Sequence, residues 1–211
     1  VKVFVIGAHG QIGKLLVAQL LDRGDEVVAG IRDTKQRSFF EDQGAATQLF
    51  DLNEQPEEMA KVLKGVDAVV FSAGSGGKTG DDQTLLIDLD GAVKSMEATQ
   101  KAGIKRFVIV SAMNAEDRTL WTAIKPYYVA KHYADLYLKD ETNLDYTIIK
   151  PGVLTNEAGK GGIQLNQHKG QIAREDVAEV IVATLHNDQT IKKEFAISEG
   201  KTPVSEAVNQ V

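Results

Sequence analysis

The chain has 211 residues, 24 Lys and Arg against 30 Asp and Glu for a formal charge of −6, 43% hydrophobic and 26% charged residues, and no cysteine. That is ordinary globular composition over roughly one domain's length. It excludes whole-chain disorder, a collagen or coiled-coil fibre, a generally basic nucleic-acid binder, a disulfide scaffold, a zinc–thiolate site and a thiol nucleophile. No stretch reaches the roughly 18 apolar residues of a membrane span. The opening residues read as a strand, not as a charged n-region with an apolar h-region, which predicts no signal peptide and a cytoplasmic location.

Short β-branched runs alternate with amphipathic stretches. Residues 1–7 form a near-continuous apolar strand, the mark of a parallel strand covered on both faces. Apolar residues at 12, 15, 16, 20 and 21 give residues 11–23 helical spacing. Further strands are predicted at 25–31, 46–50, 67–71, 106–110, 146–149 and 194–197. Helices are predicted at 56–63 with Pro56 in the first turn, at 83–102 stopped by Gly103, and at 126–139, 175–185 and 203–208. Strand–helix alternation of this kind argues for an α/β fold, a doubly wound parallel sheet in three layers, α/β/α. The glycine-rich stretches 74–80 and 152–170 follow strand ends, where ligands bind in open α/β sheets. Within the second, the loop 155–170 is long for a compact domain, and it is expected to act as a lid over substrate.

Strand one runs into Gly7-Ala8-His9-Gly10-Gln11-Ile12-Gly13 and a helix follows. In this G-x-x-G-x-x-G spacing Gly7 permits the tight turn, Gly10 lets backbone approach a pyrophosphate, and Gly13 brings helix and strand close. The helix N-terminus then offers unpaired N–H groups to phosphate, so the segment predicts dinucleotide binding. His9 lies within it and is expected to face the cofactor through its backbone. Strand two ends in Gly30-Ile31-Arg32-Asp33. An acid there suits the ribose of NAD(H) and an arginine the 2′-phosphate of NADP(H). Arg32 comes first, with Lys35 and Arg37 following, so NADP(H) is favoured over NAD(H). Ser72-Ala73-Gly74-Ser75-Gly76-Gly77-Lys78-Thr79 ends like a P-loop, but Ser72 stands where the first glycine belongs, and Gly80-Asp81-Asp82 follow at once. Small residues that let a dinucleotide cross the sheet edge are the better reading. The four histidines, His9, His132, His168 and His186, have no ligand spacing, and no metal site is expected.

Tyr127 and Lys131 stand four apart on a helix, hence on one face. A nearby ammonium favours the phenolate, which makes Tyr127 a usable general acid or base, and Lys131 is placed to hold ribose hydroxyls. Spacing alone leaves open that a Tyr-rich helix simply buries aromatic faces. Ser111, where strand five ends, is expected to orient a substrate carbonyl, with a loop serine capping local backbone as the alternative.

The glycine loop, Ser111 and Tyr127-x-x-x-Lys131 together resemble the short-chain dehydrogenase/reductase superfamily. The likeness is to its atypical, NmrA-like and biliverdin-reductase-B-like branch of small NAD(P)H-binding proteins. Val108-Ile109-Val110-Ser111, Tyr128-Val129-Ala130-Lys131, Leu144 to Gly152 and Arg174-Glu175-Asp176-Val177-Ala178 carry the same resemblance, which spans roughly residues 1–200. It implies a Rossmann-type fold over 1–211 as a single domain, with a small C-terminal substrate region and a substrate-side loop at about 152–172. It implies cofactor contacts from Gly7 to Gly13 (His9, Gly10, Gln11 and Ile12 included), Arg32, Asp51 and Leu52 near adenine, Ser72, Ala73 and Gly74, Lys131, and the loop Pro151, Gly152, Val153 beside the nicotinamide. It also implies Tyr127 as proton donor, Lys131 as its modulator and Ser111 as carbonyl partner. Asp88-Leu89-Asp90-Gly91 stands where the superfamily often has an N-x-x-G segment, which leaves a proton relay through that asparagine without its residue. The expected function is an NAD(P)H-dependent reductase or dehydrogenase passing hydride between nicotinamide and a small carbonyl or conjugated acceptor. A cofactor-sensing regulator and a sugar-nucleotide epimerase or dehydratase are the rivals, the last disfavoured by the roughly 60 residues after Pro151. A small-molecule substrate is expected, with no nucleic acid or membrane partner.

Overall fold

The computed structural model describes residues 1–77, 79–121 and 123–211; the lysine of the P-loop-like tail, Lys78, lies outside them. Seven parallel strands form the centre of one sheet: β1 (Lys2–Ile6), β2 (Glu26–Ile31), β3 (Ala46–Leu49), β4 (Ala68–Phe71), β5 (Arg106–Val110), β6 (Asp145–Pro151) and, later in the chain, β10 (Lys193–Glu199). Their order is β3-β2-β1-β4-β5-β6-β10. The chain turns outward in both directions from β1 and β4, so the crevice between them at the carboxyl edge is where a dinucleotide lies across such a sheet.

Both faces of the sheet are covered, and β1 shows why its residues are apolar without alternation. Val3 and Val5 enter one core with α1 (Gln11–Arg23) and α7 (Arg174–Leu185). Phe4 and Ile6 enter the other with α3 (Pro56–Leu63), α5 (Ala92–Lys101) and α6 (Lys125–Asp140). The expected three-layer, doubly wound Rossmann architecture is the one found. A short α2 (Arg37–Glu41) after a 3₁₀ turn at Thr34–Gln36 places Phe40 in the first core.

Two segments differ from the sequence reading. The helix expected over 83–102 begins earlier, as α4 (Asp81–Gln83), and passes through a π-helical stretch (Thr84–Gly91) before α5. Wider π turns rotate the side chains after them, and such insertions gather at functional sites. The expected lid is largely built into the fold. Gly162–Leu165 forms β8, antiparallel to β10 in the main sheet, with β11 (Thr202–Pro203) beyond it and α8 (Val204–Val208) following. β7 (Val153–Thr155) and β9 (Gln171–Ala173) pair as a small second sheet. The turn before β8 is tied to the start of α7. The Glu175 carboxylate accepts the Gly159 N–H at 2.7 Å, and Asp176 accepts those of Lys160 and Gly161 at 3.1 and 2.9 Å.

Candidate active site

The phosphate loop is fixed by close backbone approach. A Cβ on Gly7, which has φ +82°, would lie 2.6 Å from the Ala73 nitrogen, and one on Gly13 would lie 2.6 Å from the Ala8 oxygen. Glycine at these positions therefore brings β1, β4 and α1 together. Gly10 caps α1 with extended backbone and no side-chain hydrogen bond, and the first turn holds no acid. The leading N–H groups of Gln11, Ile12 and Gly13 are thus left for an anion, and the helix dipole favours one. Positive charge surrounds this end. The pKa of His9 is lowered chiefly by burial and then by Lys14 and Arg32 nearby, so His9 stays neutral beside two cations. The residues present fit a pyrophosphate.

At the end of β2 the Arg32 side chain is exposed, whereas Asp33 caps the 3₁₀ turn by accepting the Lys35 N–H at 2.9 Å. Arg37 is engaged by Thr47 and Glu41. Asp51, after β3, accepts the backbone N–H and the amide of Asn53, and Leu52 packs against Gly91. Ser72 donates to the Ile6 carbonyl at 3.1 Å, and Gly74 lies against Asp88. Pro151 ends β6. A Cβ on Gly152 would overlap the Gly170 carbonyl, and Val153 is 72% exposed.

α6 supplies the candidate chemistry. Pro126 occupies its first turn, and Ile124 before it takes a left-handed φ of +44°, a strained conformation for a β-branched residue. The helix buries Ala130, Ala134 and Leu138 against the sheet. Beside that row run Tyr127, Lys131 and Asp135, each four residues from the next. Tyr127 is half-buried, with the Lys131 ammonium 5.5 Å from the centre of its ring. Lys131, 3% exposed, lies 3.1 Å from Asp88 of the π-helical stretch and donates to the Val110 carbonyl at 3.2 Å. The ammonium was expected to favour the phenolate, yet the Tyr127 pKa is raised. Burial outweighs Lys131, whose charge is met by Asp88.

Ser111 does not face the crevice as expected. It is 1% exposed, and its hydroxyl donates to Asp135 at 2.6 Å. Trp121 is buried, stacked on Tyr128 and donating to the Asn114 carbonyl. The structure thus brings Tyr127 and Lys131 together and turns Ser111 away. The sequence reading passed over Asp135 and took Asp88 only as a departure from a pattern. Asp135 had one legible signal, its place one further helical turn along the Tyr127–Lys131 face.

A glycine loop between the first strand and helix of a doubly wound sheet, an uncapped anion-binding helix end, and a Tyr/Lys pair at the same edge define a dinucleotide-binding Rossmann protein of the atypical short-chain dehydrogenase/reductase type. The chain belongs to the family described as NAD(P)H-binding, whose model matches residues 7–188. It is 48% identical over 214 residues to a Bacillus subtilis protein named uncharacterized sugar epimerase YhfK, with 100% of each chain covered. Among solved structures it is similar to a Bacillus halodurans protein carrying the name of an NAD-dependent epimerase/dehydratase, at 38% identity and a TM-score of 0.94, covering 100% of this chain and 99% of that one. It is also similar to the oxidoreductase ylbE of Lactococcus lactis, at 39% identity and a TM-score of 0.92, covering 100% and 96%. Among the described residues no helix is long and apolar enough to cross a membrane.

Proposed function

We propose that this protein is a cytoplasmic NADP(H)-dependent oxidoreductase acting on a small carbonyl or conjugated acceptor, with no nucleic-acid or membrane partner. The observation that carries the reading is a half-exposed phenol, Tyr127, backed by the buried Lys131 ammonium at the sheet edge that holds the phosphate loop. Gly7 to Gly13 would hold the pyrophosphate, Arg32 the 2′-phosphate, and Asp51 and Leu52 the adenine side. Ser72, Ala73 and Gly74 leave room across the sheet edge, and Pro151, Gly152 and Val153 border the nicotinamide. The bound cofactor supplies or takes the hydride. Burial keeps the proton on the Tyr127 oxygen, ready for donation to an acceptor oxygen. Lys131 donates to the Val110 carbonyl and is ion-paired with Asp88, and its remaining donor capacity is open to a ribose hydroxyl.

A specific observation supports a second reading, a cofactor sensor without turnover. The Ser111 hydroxyl is bonded to the Asp135 carboxyl, so of the expected pair only Tyr127 is placed as a donor to an acceptor carbonyl. The epimerase names of two relatives bring a nucleotide sugar into the test. NADPH consumption is to be followed with a panel of aldehydes and quinones, and epimer formation with a nucleotide sugar. The expected result is turnover by the wild type that falls by about 10²–10⁴-fold in Tyr127→Phe with cofactor binding retained. Wild-type rates in Tyr127→Phe would remove the proton donor. Tight NADPH binding with no consumption across the panel would favour the sensor.

A further inference from the structure

The inner face of α6 carries a polar row, Tyr127, Lys131 and Asp135, beside a fully apolar one. Polar groups in such a place cost stability unless each is partnered. Tyr127 borders the crevice, and Lys131 has Asp88 and the Val110 carbonyl. Asp135, 4% exposed, has least: Oδ2 accepts from Ser111, and Oδ1 has no partner among the described residues. The charged groups around it are Lys131 on its own helix, Lys150 from β6 and Glu194 from β10, with Asp88 beyond Lys131. Neither cation is free. Lys150 is bound by Glu116 at 2.9 Å and Glu194 at 2.8 Å, and Lys131 by Asp88.

We propose that Asp135 is a positioning residue for Tyr127, its buried carboxyl setting by its protonation the charge of the Lys131–Asp88 cluster that the phenol faces. The proposal rests on the reading of Tyr127 as proton donor. With Asp135 protonated, one ammonium faces one carboxylate, and the acid hydrogen is available to Ser111 Oγ. With Asp135 ionised, a second negative charge stands one helical turn from that ammonium, and the phenol proton is held more firmly. Burial raises the Asp135 pKa to about 7 against the opposing hydrogen bond from Ser111 and the charges of Lys150 and Lys131. The change of state therefore falls near neutrality. Asp135 and Asp88 are both among the groups that raise the Tyr127 pKa, so the sign of the coupling is set.

Carbon-13 NMR of the full chain, labelled at Asp Cγ and Tyr Cζ, tests this without a substrate. The expected result is an Asp135 midpoint within about one unit of 7 and an inflection of the Tyr127 resonance at the same pH in the wild type. The inflection should vanish in Asp135→Asn. In Ser111→Ala the Asp135 midpoint should rise, because a hydrogen bond to the charged form is lost. An Asp135 midpoint below pH ~5, the ordinary carboxylate range, or a Tyr127 resonance without the neutral inflection, overturns the proposal. The wild-type titration decides even where a variant does not fold. Thermal unfolding of the same samples with NADPH separates the two failures. No cofactor shift would remove the oxidoreductase reading and leave the coupling intact, whereas a shift without the inflection would remove the coupling alone.

Discussion

Arg32 and Asp33 are sequence neighbours with opposite implications for the cofactor, and local hydrogen bonding separates their roles. Asp33 is used as a cap on the Lys35 N–H, which leaves the exposed Arg32 guanidinium as the charged group presented beside the phosphate loop. A saturating cofactor at 100 times its Kd stabilises by about 2.7 kcal/mol, roughly 5–10 °C for a chain of this size. NADPH should give that shift and NADH less. Arg32→Ala loses a charge-assisted contact of about 1.5–3 kcal/mol, so its NADPH shift should fall to the level of NADH. Equal NADPH shifts in wild type and variant would remove Arg32 from the site. At this scale the glycine loop and the Tyr/Lys pair were legible because their spacing is itself the geometry. The direction of Ser111 was not, because a strand-end side chain takes whichever buried acceptor the packing offers, and Asp135 lies 24 residues further along the chain.

Elements with a long apolar period were legible almost to the residue, as α3 and β5 are. Those that were missed lack such a period. β7, β8, β9 and β11 are two to four residues long, and the sequence between them is rich in glycine and polar residues. Their pairing is decided by β10 and by α7, not by local propensity. The π-helical stretch was hidden for another reason: one wider turn leaves the apolar pattern of a helix intact on either side. The acids that open α7 both suit its dipole and hold the preceding turn. Asp176→Ala removes the acceptor for two backbone N–H groups and should cost about 1–3 kcal/mol. Amide exchange at Lys160 and Gly161 should quicken while the NADPH shift is kept. Unchanged exchange at those two amides would show that Asp176 does not hold the turn.

The alternation of strands and helices along the chain made the whole architecture readable, because a parallel sheet covered on both faces demands it. The pH dependence of stability was not readable, since it depends on burial. An acid whose pKa is raised on folding, as that of Asp135 is to about 7, makes the folded state bind the extra proton. Its contribution therefore falls as pH rises from about 4 and levels off above about 7, a loss on the order of a few kcal/mol. Glu194, lowered by Lys150 and Lys139 against its burial, works in the opposite sense: its stabilisation is present above its unfolded value and lost in acid. Subtraction isolates Asp135. Between pH 4 and 7 the stability of Asp135→Asn, measured by denaturant unfolding, should fall less steeply than that of the wild type. Parallel curves would mean that Asp135 ionises alike in both states.

The order of the sheet also bears on how the molecule avoids its own kind. An open sheet ends in two rows of unpaired backbone groups, each a template on which another chain can add a strand. Here one border is β11, two residues long and ending in Pro203, which has no N–H to offer. The other is β3, only four residues long. β8, from the glycine-rich segment expected to be a lid, covers the long β10, and β11 beyond it makes the border short and proline-ended, which guards the protein against strand-to-strand aggregation.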